Sequence, residues 1–297
     1  MSAGVTSLKR RIGSVKNTRQ ITKAMELVAA SKMRRAQEFA INSRPFKDEA
    51  RLLIGQLSSV SDVKLDSLFK TRPIKTELLI VISSDRGLAG AYNANVFKSL
   101  VGVVQENKSK KVSTKIVTIG RQAGQFVAKL GGVDHASAHL MLGDHPSTDT
   151  VVTILEETIK KYLGDEIDSV KVVYTQFVSS IRQDVVANTL IPYVIDPDDK
   201  KTEAKEMSPL EVAIFEPSVE AIIKSTAERL IEAQLWQALL ESVASEHSMR
   251  MMAMKNASDN AADIIDDLTL ELNTARQAAI TQEMAEIIGG AEAAVKV

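Results

Sequence analysis

Two glycines pose the first chemical question. In VISSDRGLAGAYNANVF, residues 81–97, an apolar run ends, Gly87 and Gly90 follow at G-x-x-G spacing, and a helix-like stretch begins. A strand, a tight turn and a helix start are the parts of a phosphate-binding elbow, where backbone N–H groups and the helix dipole meet an anion. The dinucleotide fingerprint is G-x-G-x-x-G with an acid about 20 residues on, and the nucleotide hydrolase loop is G-x-x-x-x-G-K-[ST]. Gly87 and Gly90 fit neither. Their spacing suits a structural turn in which Asp85 and Asn93 cap backbone groups.

His135 and His139 raise a second possibility. They stand four apart, with Asp134, Asp144 and His145 close in sequence. On a helix the two rings would share a face, as zinc ligands do. The glutamate of an H-E-x-x-H site is missing, and the flanks GG and GDHP suit a loop, so these read as polar surface histidines. No G-x-S-x-G elbow offers a nucleophilic serine. The chain has no cysteine, which excludes disulfides, thiolate catalysis and Cys-based zinc sites. The methionine-rich MRMMAMKNASDNA, residues 249–261, suits either an adaptable surface or helix core. No residue set marks out a catalytic, cofactor or metal site.

The elements that must carry these residues fall into three blocks. From Val5 to about Val60, Leu8, Ile12, Val15, Ile21, Met25 and Val28 recur mostly at helical spacing, and Pro45 is expected to kink or interrupt the helix. From Val219 to Ile288 there is neither Pro nor Gly, and Ile265, Leu268, Leu272, Ala275 and Ala279 form a heptad seam. Gly289 and Gly290 are expected to end it. About 70 residues at about 1.5 Å each give roughly 100 Å, a length that calls for a coiled coil. Between these helices, strands at 76–84, 113–120, 169–179 and 184–195 alternate with helices at 91–107, 121–130 and 151–163, the pattern of a layered α/β domain. The expected fold is a long antiparallel coiled coil of the two terminal helices with an inserted Rossmann-like α/β domain. The divisions are 1–60, 75–195, a charged connecting loop at 196–218, and 219–297.

Charge supports the pairing of the ends. The net charge is −1, yet residues 1–52 hold 12 basic and 4 acidic side chains, +8, while residues 216–297 hold 6 and 14, −8. A basic arm for nucleic acid is one cause of such asymmetry. Pairing of the two helices is another, and it neutralises the basic face that nucleic acid would need. No apolar run approaches the roughly 18 residues that span a bilayer. The N-terminus MSAGVTSLKRR lacks the apolar core of a secretory signal. It is basic and acid-poor like a transit peptide, but its amphipathic pattern runs past Ala40 without a break, so a cytoplasmic protein is the simplest reading.

Four segments carry a resemblance that covers essentially the whole chain in order. NTRQITKAMELVAASKMRRAQ (17–37), SSDRGLAGAYN (83–93), RMMAMKNASDNA (250–261) and ARQAAITQEMAEIIGGAEAA (275–294) resemble the γ subunit of the F-type ATP synthase, bacterial type. The last holds the family's C-terminal pattern in Ile280, Thr281, Glu283, Glu286, Gly290 and Ala291. The resemblance implies a rotor shaft without an active site. Its left-handed coil would stand in a ring of three α and three β subunits, and its α/β domain, with the ε subunit, on the membrane ring of c subunits. It implies β-subunit contacts at Arg276, Gln277, Arg86, Met25 and Lys23, and c-ring or ε contacts at Phe215 and Glu216. Ala89 stands where the family often has Cys, and the cysteine-bearing regulatory insertion of chloroplast members is absent. The implied place is the cytoplasmic face of the bacterial inner membrane, with the matrix side of the mitochondrial inner membrane as the second choice. A dinucleotide-dependent enzyme and a nucleic-acid-binding coiled coil are the competing readings. The failed fingerprint weighs against the first, the matching acidic helix against the second.

Overall fold

The structure is a computed structural model and describes residues 3–60, 67–140, 148–194, 216 and 218–295. In chain order the elements are α1 (Ala3–Val60), β1 (Thr76–Ile82), α2 (Tyr92–Ser109), β2 (Ser113–Ile119), α3 (Arg121–Val127), β3 (Asp134–His139), α4 (Thr148–Leu163), β4 (Ser169–Phe177), β5 (Gln183–Ile191) and α5 (Val219–Val295). The chain divides into two compact units. One comprises residues 1–29 and 250–297, the other residues 30–249.

The larger unit is built on a five-stranded sheet of order β3-β2-β1-β4-β5. Its first four strands are parallel, and β5 runs antiparallel to β4. β1 lies at the centre, and its alternate side chains face opposite layers. Leu78, Ile80 and Ile82 join a core with Ile154 and Leu155 of α4, Ile54 of α1 and Leu230, Leu235 and Leu239 of α5. Leu79 and Val81 join the other, with Val96 and Leu100 of α2 and Ala123 and Val127 of α3. A strand buried on both faces has to be apolar throughout, which is why TELLIVI does not alternate.

Along α5, residues 237–248 are buried on every side. A helix so enclosed has to satisfy most of its polar side chains internally. Ser245 Oγ donates to the Thr175 carbonyl at 3.2 Å and Ser248 Oγ to the Ser180 carbonyl at 2.8 Å. Ala36 of α1 packs against Val243 and Ala244 of α5.

The smaller unit is a two-helix coil. Leu8, Ile12 and Val15 of α1 pack on Ile265, Leu268, Leu272 and Ala275 of α5. A groove further along is lined by Lys16, Arg19 and Lys23 opposite Ser258, Asp259 and Ile265. Rising numbers in α1 meet falling numbers in α5, so the helices are antiparallel and the heptad seam is their contact.

Three expectations are corrected. Pro45 does not break α1, which runs through it. A proline inside a helix costs about 3 kcal/mol. Here buried Ala36 and Ala40 before it, and Ala50, Leu53 and Ile54 after it, anchor the helix on both sides. Gly289 and Gly290 do not end α5, which continues to Val295. Their penalty of about 1 kcal/mol each is small beside a helix already formed, and the alanine-rich residues that follow favour it. Residues 134–139 are strand β3 rather than loop. The small, polar DHASAH has weak strand propensity and is held by its ladder to β2 at the sheet edge. The loop expected at 196–209, and Asp144, His145 and Phe215, lie outside the described residues.

Candidate functional site

The glycine turn after β1 is filled by its own side chains. Ser83 N donates to the Ile119 carbonyl at 2.8 Å, and Ser83 Oγ accepts from Ala123 N at 2.8 Å. Asn93 Oδ1 accepts from Ser84 N at 3.2 Å, while Asn93 Nδ2 donates to Ser84 Oγ at 2.8 Å. Asp85 Oδ1 accepts from Arg121 N, the first residue of α3, at 2.9 Å. A carboxylate of the chain itself thus caps the start of α3, the helix after β2. The carboxyl ends of β1 and β4, where open α/β sheets hold ligands, are closed by α5. Tyr92 Oη shares a 2.7 Å hydrogen bond with Ser242 Oγ, and Ser245 bonds the β4 carbonyl of Thr175. The turn is therefore a brace between sheet and helix.

One glycine essential to this brace carries no motif. Gly120 has φ 98°, and a Cβ there would lie 2.2 Å from the Ser83 carbonyl oxygen. Only the loop after β1, far away in sequence, creates that requirement.

His135 and His139 lie on β3, where four residues span about 13 Å, too far to share one ion. His135 Nε2 hydrogen-bonds Thr118 Oγ1 at 3.1 Å and His139 Nε2 hydrogen-bonds Ser137 Oγ at 3.0 Å. Among the described residues no cluster of three or more His, Cys, Asp or Glu could hold a metal.

The remaining described candidates are mostly exposed side chains. Arg86 is exposed at the tip of the turn, where its carbonyl accepts from Ser84 Oγ at 2.7 Å. Lys23 is exposed and pairs with Glu26 at 3.0 Å, with Met25 half-buried beside it. Arg276 and Gln277 are exposed on α5. The coil places Lys23 level with Asp259, 17 residues from Arg276, or about 25 Å along the helix. Glu216 is exposed in the larger unit. Exposed side chains of this kind are suited to surface contacts.

Within the C-terminal motif, beyond the seam, lies an apolar stripe. Ile280, Met284, Ile287 and Ile288 are 49%, 56%, 70% and 62% exposed. Their spacing keeps them on one face of α5, and their seam partners would lie before Leu8 on a helix that starts at Ala3. The signal was the apolar period itself, running on after its partner helix ends. Exposed apolar patches of this kind mark contact surfaces.

The family described as ATP synthase matches residues 4–294. The chain is 40% identical over 286 residues to the ATP synthase gamma chain of Pelotomaculum thermopropionicum, covering 96% of this chain and 97% of the relative. It is 36% identical over 293 residues to that of Cupriavidus metallidurans, covering 98% and 99%. The fold is similar to a chain in the central stalk and c-ring structure of Tetrahymena thermophila mitochondrial ATP synthase, with TM-score 0.58, 24% identity, and 80% of this chain and 99% of that one covered. It is also similar to a chain of the Euglena gracilis mitochondrial enzyme in rotational state 3, with TM-score 0.67, 18% identity, and 98% and 94% covered.

Proposed function

The chain belongs to the family of ATP synthase gamma chains, and from that premise we propose that it is the central rotor shaft of the complex. It is a non-catalytic subunit. It turns with a membrane ring of c subunits, one copy per assembly, and drives three α–β pairs through their nucleotide-binding states. The observation that carries this reading is the uncovered stripe of Ile280, Met284, Ile287 and Ile288 at the end of the two-helix coil. An axle needs a surface that excludes water without directional bonds, because apolar contact has no preferred angle. A few polar residues then bias the surrounding sites differentially as the shaft turns.

On this reading Arg276 and Gln277, just before the stripe, meet a loop of the β subunit. Lys23 and Met25 lie beside an acidic β loop, and Arg86 approaches the lower face of β. Phe215 and Glu216 belong to the foot that meets the c ring together with ε. Functionally, 1–60 and 219–297 are the shaft, 75–195 the domain that braces it, and 196–218 the connection at the foot. No helix among the described residues is long and apolar enough to cross a membrane. The stalk is peripheral to the membrane. The bacterial relatives favour the cytoplasmic face of the inner membrane.

Co-expression with the α and β subunits of a close relative tests the reading. One copy per three pairs should co-purify, and the assembly should hydrolyse ATP. A chain that stays alone, or that itself binds nucleotide or DNA tightly, would overturn it.

A further inference from the structure

α5 uses its hydroxyls in two ways. In the smaller unit, Thr269, Thr274 and Thr281 each donate to the carbonyl four residues back in their own helix, at 2.6, 3.0 and 3.0 Å. Such bonds stay within the helix and tie it to nothing else. In the larger unit, Ser242, Ser245 and Ser248 are each 0% exposed, and their bonds leave the helix. Ser242 Oγ shares its bond with Tyr92 Oη of α2, and Ser245 Oγ donates to the Thr175 carbonyl of β4. Ser248 Oγ donates to the Ser180 carbonyl in the turn after β4 and accepts from Gln183 Nε2 of β5 at 3.2 Å.

The three serines follow one i, i+3 ridge. They cover about 9 Å of helix and, at about 100° per residue, an arc of roughly 120°. Apolar contact is non-directional, so it opposes a small slide or turn of a helix less sharply than a bond with a fixed geometry does. A hydrogen bond weakens steeply off its geometry, and a buried group that loses its partner carries a penalty that apolar contact does not. Ties spread both along and around the helix therefore oppose sliding and turning together. The stripe of Ile280, Met284, Ile287 and Ile288 on the same helix is apolar and uncovered. α5 is thus keyed where it passes the sheet and smooth near its end.

We propose that Ser242, Ser245 and Ser248 are positioning residues for torque: they lock α5 to the α/β domain, so that rotation entering the shaft from that domain is not lost as a turn or slide of the helix in its seat. The proposal deepens the rotor reading and rests on it. The serines act through the helix they hold.

The test uses membrane vesicles holding the whole ATP synthase, with this chain as its gamma subunit beside the other subunits of a close relative. ATP hydrolysis and ATP-driven ion uptake against an imposed gradient are measured on one sample. In the variant Tyr92→Phe, Ser242→Ala, Ser245→Ala, Ser248→Ala, ions taken up per ATP should fall at least about threefold, with hydrolysis within about twofold of the unaltered enzyme. The pair Tyr92→Phe, Ser242→Ala removes both partners of one tie and strands neither; it should lower the same ratio by a smaller factor. Val243→Ala is the control. Val243 is buried on the same turn but packs on apolar Ala36, so its loss should lower the melting temperature and leave the ratio unchanged. An unchanged ratio in the fourfold variant, an equal fall in Val243→Ala, or failure of both serine variants to assemble would each overturn the proposal while the rotor reading stands. Failure of the unaltered chain to assemble or to support uptake would overturn the rotor reading itself, and this proposal with it.

Discussion

Gly120 is the residue on which the brace between β1 and α3 is most exposed to substitution. Gly120→Ala would add a left-handed backbone strain of about 1–2 kcal/mol to the overlap with the Ser83 carbonyl, for a total of about 3 kcal/mol. In a unit of this size that is a fall of roughly 6–12 °C in melting temperature, read by calorimetry on the purified chain. An unchanged melting temperature would show that the loop moves aside. Asp85 and Asn93 could be read from sequence because short polar side chains beside a glycine turn hydrogen-bond locally. Gly120 could not, because its neighbour comes from another strand.

Asp168 gives a residue-scale test in pH. Burial alone would raise its carboxyl, but the N–H groups of Thr76 and Lys75 and the Arg72 guanidinium hold it below the ordinary 3.8. Arg72 lies 3.0 Å from Asp168, also meets Asp165 and the carbonyls of Tyr162 and Ile167, and stacks 4.5 Å over the Tyr162 ring. A depressed folded pKa stabilises fully above the unfolded value and loses that stability as pH falls through the folded one. Acid unfolding should therefore have a component below about pH 4 that is absent in Asp168→Asn. Superimposable stability–pH curves below pH 4 would remove this role.

At the scale of elements, the seam of the coil should carry the torque. Leu268 is buried between the helices and Leu272 packs beside it. Replacing both with glycine removes two leucine side chains and adds about 1 kcal/mol of helix penalty at each position, roughly 6–12 kcal/mol in all. In the assembled enzyme, ATP-driven ion pumping should fall much further than ATP hydrolysis. Pumping at the unaltered rate would mean that the seam does not bear load. The heptad was legible because its period comes from the helix alone. β3 was not: DHASAH is a strand only because β2 offers it an unpaired edge. Pro45 was legible as a residue but not in its effect, since the packing that outweighs it comes from α5 and the sheet.

At the scale of the molecule, the catalytic groups belong to other subunits. Ending the chain after Arg276 removes the stripe Ile280–Ile288 and leaves the seam from Leu8 to Ala275 in place. Such a shaft should assemble, retain part of the ATP hydrolysis and pump fewer ions per ATP, measured as the ratio of the two rates. Complete loss of hydrolysis in an assembled complex would contradict this. The opposite charges of residues 1–52 and 216–297 belong to this scale too. In the coil, basic α1 lies against acidic α5 along the groove of Lys16, Arg19, Lys23 and Asp259.

The amino-acid sequence by itself determined the two long helices, their seam, the alternating α/β middle and the family. All of these rest on period, composition or ordered motifs, which are local properties of a chain. Tertiary structure decided that the glycine turn is tied to its surroundings, Asp85 to α3 and Tyr92 to Ser242 on α5. It decided that the two histidines stand on an extended edge strand, and that Ser245 and Ser248 of α5 find their partners on β4 and the turn after it. Each of these depends on which atoms are brought together from distant parts of the chain, and no spacing along the chain encodes that.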